Sequence, residues 1–265
     1  MSKREKEHLV RVCVLGSTFT GKSCLCNRFV CNNFEWVYEP TTEVRPYRKL
    51  VNITEDEENK QYCMMLIEDL FPINHPYLQN PEQSEEAKNM SNQYDLILEN
   101  RRESKKKSSE KALYKEHPIH AYVYVFDLTE KTSFDEVERV IEYIHTREEK
   151  EAGKKKSGIA VKILVGTKKD LQRNAVPSQK IEQVKKKYNL MYRKVSALEN
   201  SDVKDVFLDV ARIVMDSMSS GMNEDEDEDM FFGTGFWNWL GCGGRDEKNK
   251  DEDEDEEETK KCRIF

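Results

Sequence analysis

A glycine-rich segment near the beginning of the chain has the composition and spacing of a loop that binds phosphate groups. Residues 16–23 read GSTFTGKS, which fits the pattern GxxxxGK[ST]. The backbone N–H groups of such a loop and the positive end of the helix that follows it converge on phosphate oxygens. Lys22 adds a positive charge, and the hydroxyl of Ser23 can ligate Mg²⁺. We therefore expect phosphate contacts from Gly16, Ser17, Thr18, Phe19, Thr20, Gly21, Lys22, Ser23 and Cys24.

A second segment, far along the chain, predicts the base of the bound nucleotide. Residues 165–170 read VGTKKD and follow a short apolar run. The carboxylate of Asp170 can accept two hydrogen bonds, from the ring N–H and the exocyclic amine of guanine, whereas adenine does not present that pair of donors. We expect Lys168 to lie along the base and backbone N–H groups of residues 196–198 to contact the guanine carbonyl. The residues predicted on the base side are Thr167, Lys168, Asp170, Ser196, Ala197 and Leu198.

Short apolar runs alternate with helical patterns and predict the scaffold that positions these segments. Four runs are rich in Val, Ile, Tyr or Cys and too short for helices, at residues 9–15, 62–67, 121–126 and 161–165, and a fifth at 191–195 precedes Ser196. Buried parallel strands fit these runs best. Apolar side chains recur at helical spacing over residues 132–149 and 201–218, which predicts two amphipathic helices. The whole pattern predicts an α/β fold with a mostly parallel central sheet flanked by helices.

The charges are distributed unevenly along the 265 residues. Residues 220–265 hold 16 acidic and six basic side chains, whereas the whole chain has a net charge of −8, so the remainder is close to neutral. Because residues 1–219 are close to neutral and show no concentrated basic surface, we do not expect nucleic acid as a partner. The stretch at about 73–118 is polar and contains several prolines and the run RRESKKK, for which we expect a helix with a flexible, charged insertion.

The chain lacks the sequence features of a secretory signal or a membrane span. Its first ten residues contain no apolar core, and no run approaches the roughly 20 apolar residues that cross a bilayer, so synthesis in the cytosol is expected. The seven cysteines are odd in number, lack the paired spacing of metal sites and mostly occupy apolar segments. We expect most of them to be reduced core thiols, with Cys262 as the exception.

Together these motifs resemble the Ras superfamily of small GTPases, and the resemblance covers about residues 9–218. Residues 38–43, YEPTTE, are similar to the first switch segment of that family. The resemblance implies that the Thr41 hydroxyl meets magnesium while its N–H senses the γ-phosphate, and that Phe34 packs on the guanine ring. The form TKKD is similar to the Rho branch, whereas the switch sequence is closer to the Ras branch.

The third motif of the family is altered in this chain. Where the family has Asp-x-x-Gly-Gln, residues 69–73 read DLFPI. The resemblance implies that Asp69 supports magnesium through a water molecule. Pro72 has no N–H to offer the γ-phosphate, and Ile73 replaces the glutamine that orients the attacking water. We therefore expect slow hydrolysis of GTP, unless Asn74 or His75 substitutes for that glutamine.

The last four residues, CRIF, fit the C-a-a-X signal for prenylation of Cys262, and the terminal Phe favours a geranylgeranyl chain. Acidic runs at 224–229 and 251–258 flank an aromatic segment at 231–240. Three roles for that segment remain open: an interfacial membrane anchor, a partner-binding motif, or a segment folded back on the domain. We expect a disordered acidic tail and a protein that is lipid-anchored at the cytoplasmic face of a membrane, with a cytosolic pool.

These features predict an N-terminal extension at residues 1–8, a GTPase domain at 9–219 and the tail at 220–265. The expected ligands are GTP or GDP with Mg²⁺, and the expected partners are effector, exchange-factor and GTPase-activating proteins. The first hypothesis is a signalling or trafficking switch with slow GTP hydrolysis. Its alternative is a non-hydrolysing scaffold that stays bound to GTP and binds protein partners. Both hypotheses take account of Thr18 and Phe19, which stand where many family members have glycines beside the γ-phosphate.

Overall fold

The computed structural model describes residues 8–41, 44–54, 60–70, 72–74, 83–85, 88, 119–152 and 160–220. The chain divides into two units, Met1–Gly221 and Met222–Phe265. All elements below belong to the first unit. The predicted acidic tail, with Cys242 and Cys262, lies outside the described residues apart from its first residue, and so do His75 and nearly all of the predicted insertion. The expectations for these segments therefore stay predictions.

Six strands and four α-helices have both ends within the described residues. The strands are β1 (His8–Gly16), β2 (Arg45–Asn52), β3 (Tyr62–Asp69), β4 (Ala121–Asp127), β5 (Val161–Thr167) and β6 (Met191–Lys194). The helices are α1 (Lys22–Cys31), α2 (Lys131–Ala152), α3 (Ser178–Lys187) and α4 (Val203–Ser220). A single 3₁₀ turn at Lys169–Leu171 follows β5. No helix in these described segments is both long enough and apolar enough to cross a bilayer.

The strands form one sheet in the order β2-β3-β1-β4-β5-β6. Strand β1 pairs in parallel with β3 and β4, and β5 pairs in parallel with β4 and β6. Only β2 runs antiparallel, against β3. The ends of β1, β3, β4 and β5 consequently meet at one edge of the sheet, which is where open α/β sheets bind their ligands. The predicted α/β fold with a mostly parallel sheet is confirmed.

Helices cover both faces of the sheet, which explains why the parallel strands are almost continuously apolar. Along β1, Val10, Val12 and Val14 pack into a core with α1 and α4, whereas Cys13 and Leu15 pack into a second core with α2 and α3. Alternate residues of a strand point to opposite faces, so a single apolar run supplies both cores. The apolar positions predicted for α2 are buried at Phe134, Val137, Ile141 and Ile144, and Val140 packs against them partly exposed.

The sequence patterns did not predict β2 and α3, and they placed the start of α4 too early. Strand β2 lies at the edge of the sheet, and its charged residues and exposed Pro46 hide its strand character. Helix α3 buries only Ile181 and Val184, which is too few for a recognisable helical stripe. Helix α4 begins at Val203 because the backbone groups of Ser196 and Ser201 hydrogen-bond to each other, at 3.1 and 2.9 Å, and hold Ser201 outside the helix.

The described cysteines are all free thiols, but they are not all in the core. Cys13, Cys26 and Cys63 are buried, as expected. Cys24 is only half-buried, and Cys31 is exposed at the last residue of α1. Three of the five described cysteines are thus core thiols, which confirms the expectation for most of them. The apolar neighbours of Cys31, Phe29 and Val30, face the core from the same helix.

Candidate nucleotide and magnesium site

The loop between β1 and α1 is held in a tight turn by glycine and by its own side chains. A Cβ atom on Gly16 would lie 2.3 Å from the carbonyl oxygen of Val125, so only glycine allows β1 and β4 to approach this closely. Gly21 has a φ of 84°, in the left-handed region that favours glycine. Thr20 Oγ1 donates to the carbonyl oxygen of Ser17 at 2.8 Å, and Lys22 Nζ donates to the same oxygen at 3.0 Å. The lysine side chain therefore folds back towards the loop that precedes it.

The ammonium group of Lys22 is buried beneath this loop. Burial lowers its pKa from the ordinary value, while the nearby carboxylate of Asp69 acts in the opposite direction. A buried cation is stabilised by additional negative charge at short range. The loop therefore has the electrostatic character of a site for an anion, in agreement with the phosphate contacts predicted from the sequence.

Three oxygen-bearing side chains from different parts of the chain converge next to Lys22. Ser23 Oγ donates to Asp69 Oδ2 at 2.6 Å and lies 3.1 Å from Thr41 Oγ1. Burial raises the pKa of Asp69, and the Lys22 ammonium and the Ser23 hydrogen bond act against that rise. The other carboxylate oxygen, Asp69 Oδ1, is buried without a hydrogen-bond partner among the described residues. Two hydroxyls and a carboxylate with an unsatisfied oxygen fit a hard, oxygen-binding cation such as Mg²⁺.

The end of β5 fixes the loop from the side of the predicted base. Thr167 Oγ1 donates to the carbonyl oxygen of Thr20 at 2.6 Å and lies 3.0 Å from that of Phe126. The next residue, Lys168, adopts a left-handed φ of 60°, and its ammonium forms an ion pair of 2.7 Å with Asp127. Asp170 then accepts a hydrogen bond of 2.6 Å from Ser196 Oγ. The two separate segments predicted to bind guanine are therefore in direct contact.

Arg28, near the end of α1, joins the remaining predicted base contacts. Its guanidinium donates to the carbonyl oxygen of Ala197 at 2.7 Å and to that of Leu198 at 3.2 Å. The same guanidinium lies 6.0 Å from the centre of the Phe34 ring, which packs edge-on against Trp36 at 5.1 Å. Phe34 and residues 196–198 are thus held on the same side of the site by one arginine.

The opposite side of the loop is contacted by three further segments. Thr18 donates to Asn74 Oδ1 from its backbone N–H at 3.0 Å and from its hydroxyl at 2.7 Å. The Ser17 hydroxyl donates to Glu136 of α2. Phe19 has a left-handed φ of 61° and stacks on Tyr38, with the ring centres 4.2 Å apart. Each of the three loop residues that precede Thr20 therefore has a partner outside the loop.

The segment after β3 is anchored beside these contacts. The backbone N–H of Ile73 donates to the carbonyl oxygen of Gly16 at 3.1 Å. Pro72 is buried, and the Ile73 side chain packs partly exposed against the core that lies under α2 and α3. The isoleucine side chain therefore serves as an apolar contact at the place where the sequence resemblance has a glutamine.

Sequence reasoning missed several residues of this site. Arg28 was not considered because an arginine in a helix has no motif around it. Asp127 was also missed, although a carboxylate at the end of a buried parallel strand is a signal for a binding edge. Cys24, which was predicted to contact phosphate, is half-buried, and burial raises the pKa of its thiol while the Lys168 ammonium lowers it. This thiol therefore lies near both the loop and the base side.

Residues 11–69 and 107–216, which together make up more than half of the chain, match the model described as Ras family. A search of curated proteins found no match.

The hydroxyl of Thr167 offers a test of how β5 supports the loop. Thr167→Val removes the donor to Thr20 and leaves a buried carbonyl oxygen with less hydrogen bonding, so we expect a loss of about 1–3 kcal/mol in the free energy of unfolding. We also expect about tenfold weaker binding of GDP, the ligand predicted from the sequence, as judged by equilibrium titration.

Thr146→Val is the matched control for this change. The Thr146 hydroxyl donates to the carbonyl oxygen of Glu142 at 2.9 Å on the exposed face of α2. Its removal should change the unfolding free energy by less than about 0.5 kcal/mol. Equal losses of stability and affinity in the two variants would contradict the proposed role of Thr167.

Proposed function

The chain belongs to the Ras family, and from this premise we propose that it binds GTP and GDP with Mg²⁺ at the loop after β1 and hydrolyses GTP slowly. Family membership supports a small GTP-binding switch with GTPase activity in general. The observation that carries the specific proposal is the hydrogen bond of 2.6 Å between Ser196 and Asp170, at the same sheet edge as the cluster of Ser23, Thr41 and Asp69. One site thus holds groups suited to both guanine and a metal-bound phosphate chain.

The roles at the phosphate end follow from charge and geometry. Backbone N–H groups of the loop and the first turn of α1 bind phosphate oxygens, and the Lys22 ammonium neutralises part of their charge. Ser23 and Thr41 would hold the cation through their hydroxyls, and Asp69 would support it with its carboxylate. When bound, Mg²⁺ would neutralise charge that develops on the β- and γ-phosphate oxygens. Thr41 would also connect the metal to the first switch segment, to which it belongs and through which effectors would recognise the GTP state.

The roles at the base end depend on a chain of polar contacts. The Ser196 hydroxyl donates to Asp170 Oδ1 and so holds the carboxylate in place. The other carboxylate oxygen of Asp170 can accept a hydrogen bond from guanine. Asp127 holds the Lys168 ammonium, which leaves the aliphatic part of that side chain to lie along the base. Arg28 holds the loop at 196–198 and supports Phe34 beside it.

Slow hydrolysis is proposed because the groups that position water are replaced by groups without polar atoms. Rate enhancement of phosphoryl transfer depends on placing the attacking water in line with the γ-phosphate. Pro72 has no N–H, and Ile73 packs its apolar side chain against the core. Retention of some hydrolysis distinguishes this proposal from the alternative of a scaffold that never leaves the GTP state.

We also propose that the protein acts at a membrane, on sequence grounds alone. The C-a-a-X signal at Cys262 would add a prenyl chain, while the sixteen acidic side chains of residues 220–265 would be repelled by anionic lipids. A single lipid chain gives only marginal membrane binding. A second anchor is therefore expected, either from Trp237 and Trp239 at the lipid interface or from acylation of Cys242. Regulators and effectors would meet the protein at that membrane.

The base preference is tested by Asp170→Asn. The change keeps an acceptor for Ser196 but replaces one carboxylate oxygen with an amide donor, which suits the carbonyl that xanthine carries in place of the guanine amine. We expect a loss of GDP affinity of at least about tenfold and a gain for xanthosine diphosphate, measured by competition binding. Asp205→Asn, on the exposed surface of α4, controls for the loss of a charge. Equal affinity of the unmodified protein for ATP and GTP would refute guanine selection.

The hydrolysis rate is tested by single turnover of the unmodified protein beside Ile73→Gln. We expect the unmodified protein to be slower than the roughly 3–5 × 10⁻⁴ s⁻¹ of Ras itself, and the glutamine variant to be faster by about tenfold or more. Ile73→Val is the control, since it changes the packing without adding a polar group. A hydrolysis rate of the unmodified protein equal to that of Ras would overturn this proposal. If the protein is purified with GTP alone and does not hydrolyse it in this assay, the result favours the non-hydrolysing scaffold.

The lipid anchor is tested by cell fractionation of Cys262→Ser. Loss of the prenyl chain should move the protein from membranes to the cytosol, because the remaining contacts of an acidic tail are weak. Cys31→Ser removes an exposed thiol of the folded domain and should leave the distribution unchanged. Unchanged membrane binding of the Cys262 variant would count against prenylation as the anchor.

A further inference from the structure

The order of the strands decides which end of the bound nucleotide lies next to Asn74. The predicted base contacts follow β5, and the metal cluster includes Asp69 at the end of β3. Strands β5 and β3 lie on opposite sides of β1 in the sheet. A nucleotide that spans the two groups of contacts therefore extends its phosphates from the β5 side towards β3. Asn74 follows β3 in the chain, so it lies on the side of the site where the terminal phosphate of such a nucleotide would be.

The orientation of the Asn74 amide is set by the loop itself. A backbone N–H can only donate, so the Asn74 atom that faces Thr18 N at 3.0 Å must be the oxygen. The Thr18 hydroxyl, at 2.7 Å from the same oxygen, is then a second donor. The amide nitrogen Nδ2 points away from both. No residue in the described part of the chain accepts a hydrogen bond from Nδ2, and Asn74 is partly exposed to solvent.

From these contacts we propose that Asn74 Nδ2 donates a hydrogen bond to the terminal phosphate of GTP and takes over the role of the N–H that Pro72 lacks. The inference rests on the proposed function. Two hydrogen bonds to the amide oxygen polarise the side-chain amide, and this polarisation makes the amide N–H a stronger donor. The hydrogen bond from Ile73 N to the Gly16 carbonyl oxygen keeps the segment at the loop. Asn74 is thus a preorganised sensor of the third phosphate.

The same geometry excludes Asn74 as a replacement for the missing glutamine. A group that orients the attacking water must accept a hydrogen bond from it, and Asn74 Oδ1 already accepts hydrogen bonds from both Thr18 donors. The amide nitrogen has no lone pair available to accept a hydrogen bond. Asn74 therefore strengthens the binding of GTP relative to GDP, and it leaves hydrolysis slow. It acts as a binding residue for the terminal phosphate, held in place by Thr18.

The test compares Asn74→Asp and Asn74→Ala in the full-length protein. The aspartate keeps acceptors for both Thr18 donors and replaces only the proposed phosphate donor, so a purely structural role would survive the change. The readout is the ratio of the affinities for GDP and for the non-hydrolysable analogue guanylyl imidodiphosphate, both with Mg²⁺. We expect Asn74→Ala to weaken the analogue relative to GDP by about tenfold, the effect of a lost hydrogen bond to a charged group. Asn74→Asp should weaken it further, because its charge repels the phosphate.

A second readout and a control locate the effect on the phosphate. In ³¹P NMR spectra of the bound analogue, Asn74→Asp should shift the γ-phosphate resonance and leave that of the α-phosphate in place. Asn189→Asp adds the same charge just before β6, at the opposite edge of the sheet, and should leave both the affinity ratio and the spectrum unchanged. An equal loss of GDP and analogue affinity in the Asn74 variants, or a ratio that stays constant, would overturn the inference. Failure of the unmodified protein to bind GDP would instead refute the proposed function.

Discussion

The hydrogen bond between Ser23 Oγ and Asp69 Oδ2, at 2.6 Å, joins the first turn of α1 to the end of β3, and the rest of the site is arranged around it. It brings a carboxylate into a buried position beside the Lys22 ammonium, where both groups are poorly solvated. Burial alone would disfavour both charges, and each charge partly compensates for the other. Asp69 Oδ1 has no hydrogen-bond partner among the described residues, and the Lys22 ammonium donates to the Ser17 carbonyl oxygen, so the proposed metal-bound phosphate chain would complete the electrostatics of the site.

The loop between β1 and α1 carries side chains at Thr18 and Phe19, where many members of the Ras superfamily have glycines. Together with Ser17, these residues contact Glu136, Asn74 and Tyr38, which belong to α2, to the segment after β3 and to the segment that resembles the first switch of the family. The loop is therefore joined to three separate parts of the fold around the candidate site.

The parts of the fold that could be read from the sequence are those whose pattern follows directly from burial. The runs in β1, β3, β4 and β5 are apolar on both faces because helices cover both faces of the sheet. Strand β2 was missed because an edge strand with charges and Pro46 carries no such run. Helix α3 was missed because two buried side chains do not define a stripe. In both cases the element is held by neighbouring elements, whose positions are not encoded in the local pattern.

The sequence by itself determined which residues could carry the proposed chemistry: a loop with the pattern of a phosphate-binding loop, a carboxylate suited to guanine, and a segment at residues 69–73 that differs from the motif of the family. These features depend on residue type and short spacing, which a linear pattern contains. Only the tertiary structure decided that Arg28 supports the loop at 196–198, that Asp127 holds Lys168, and that Asn74 turns its amide oxygen to Thr18. Such contacts join residues far apart in sequence, and they arise because parallel strands bring their ends to one edge of the sheet. The direction of a side-chain amide is fixed by the partners it meets there.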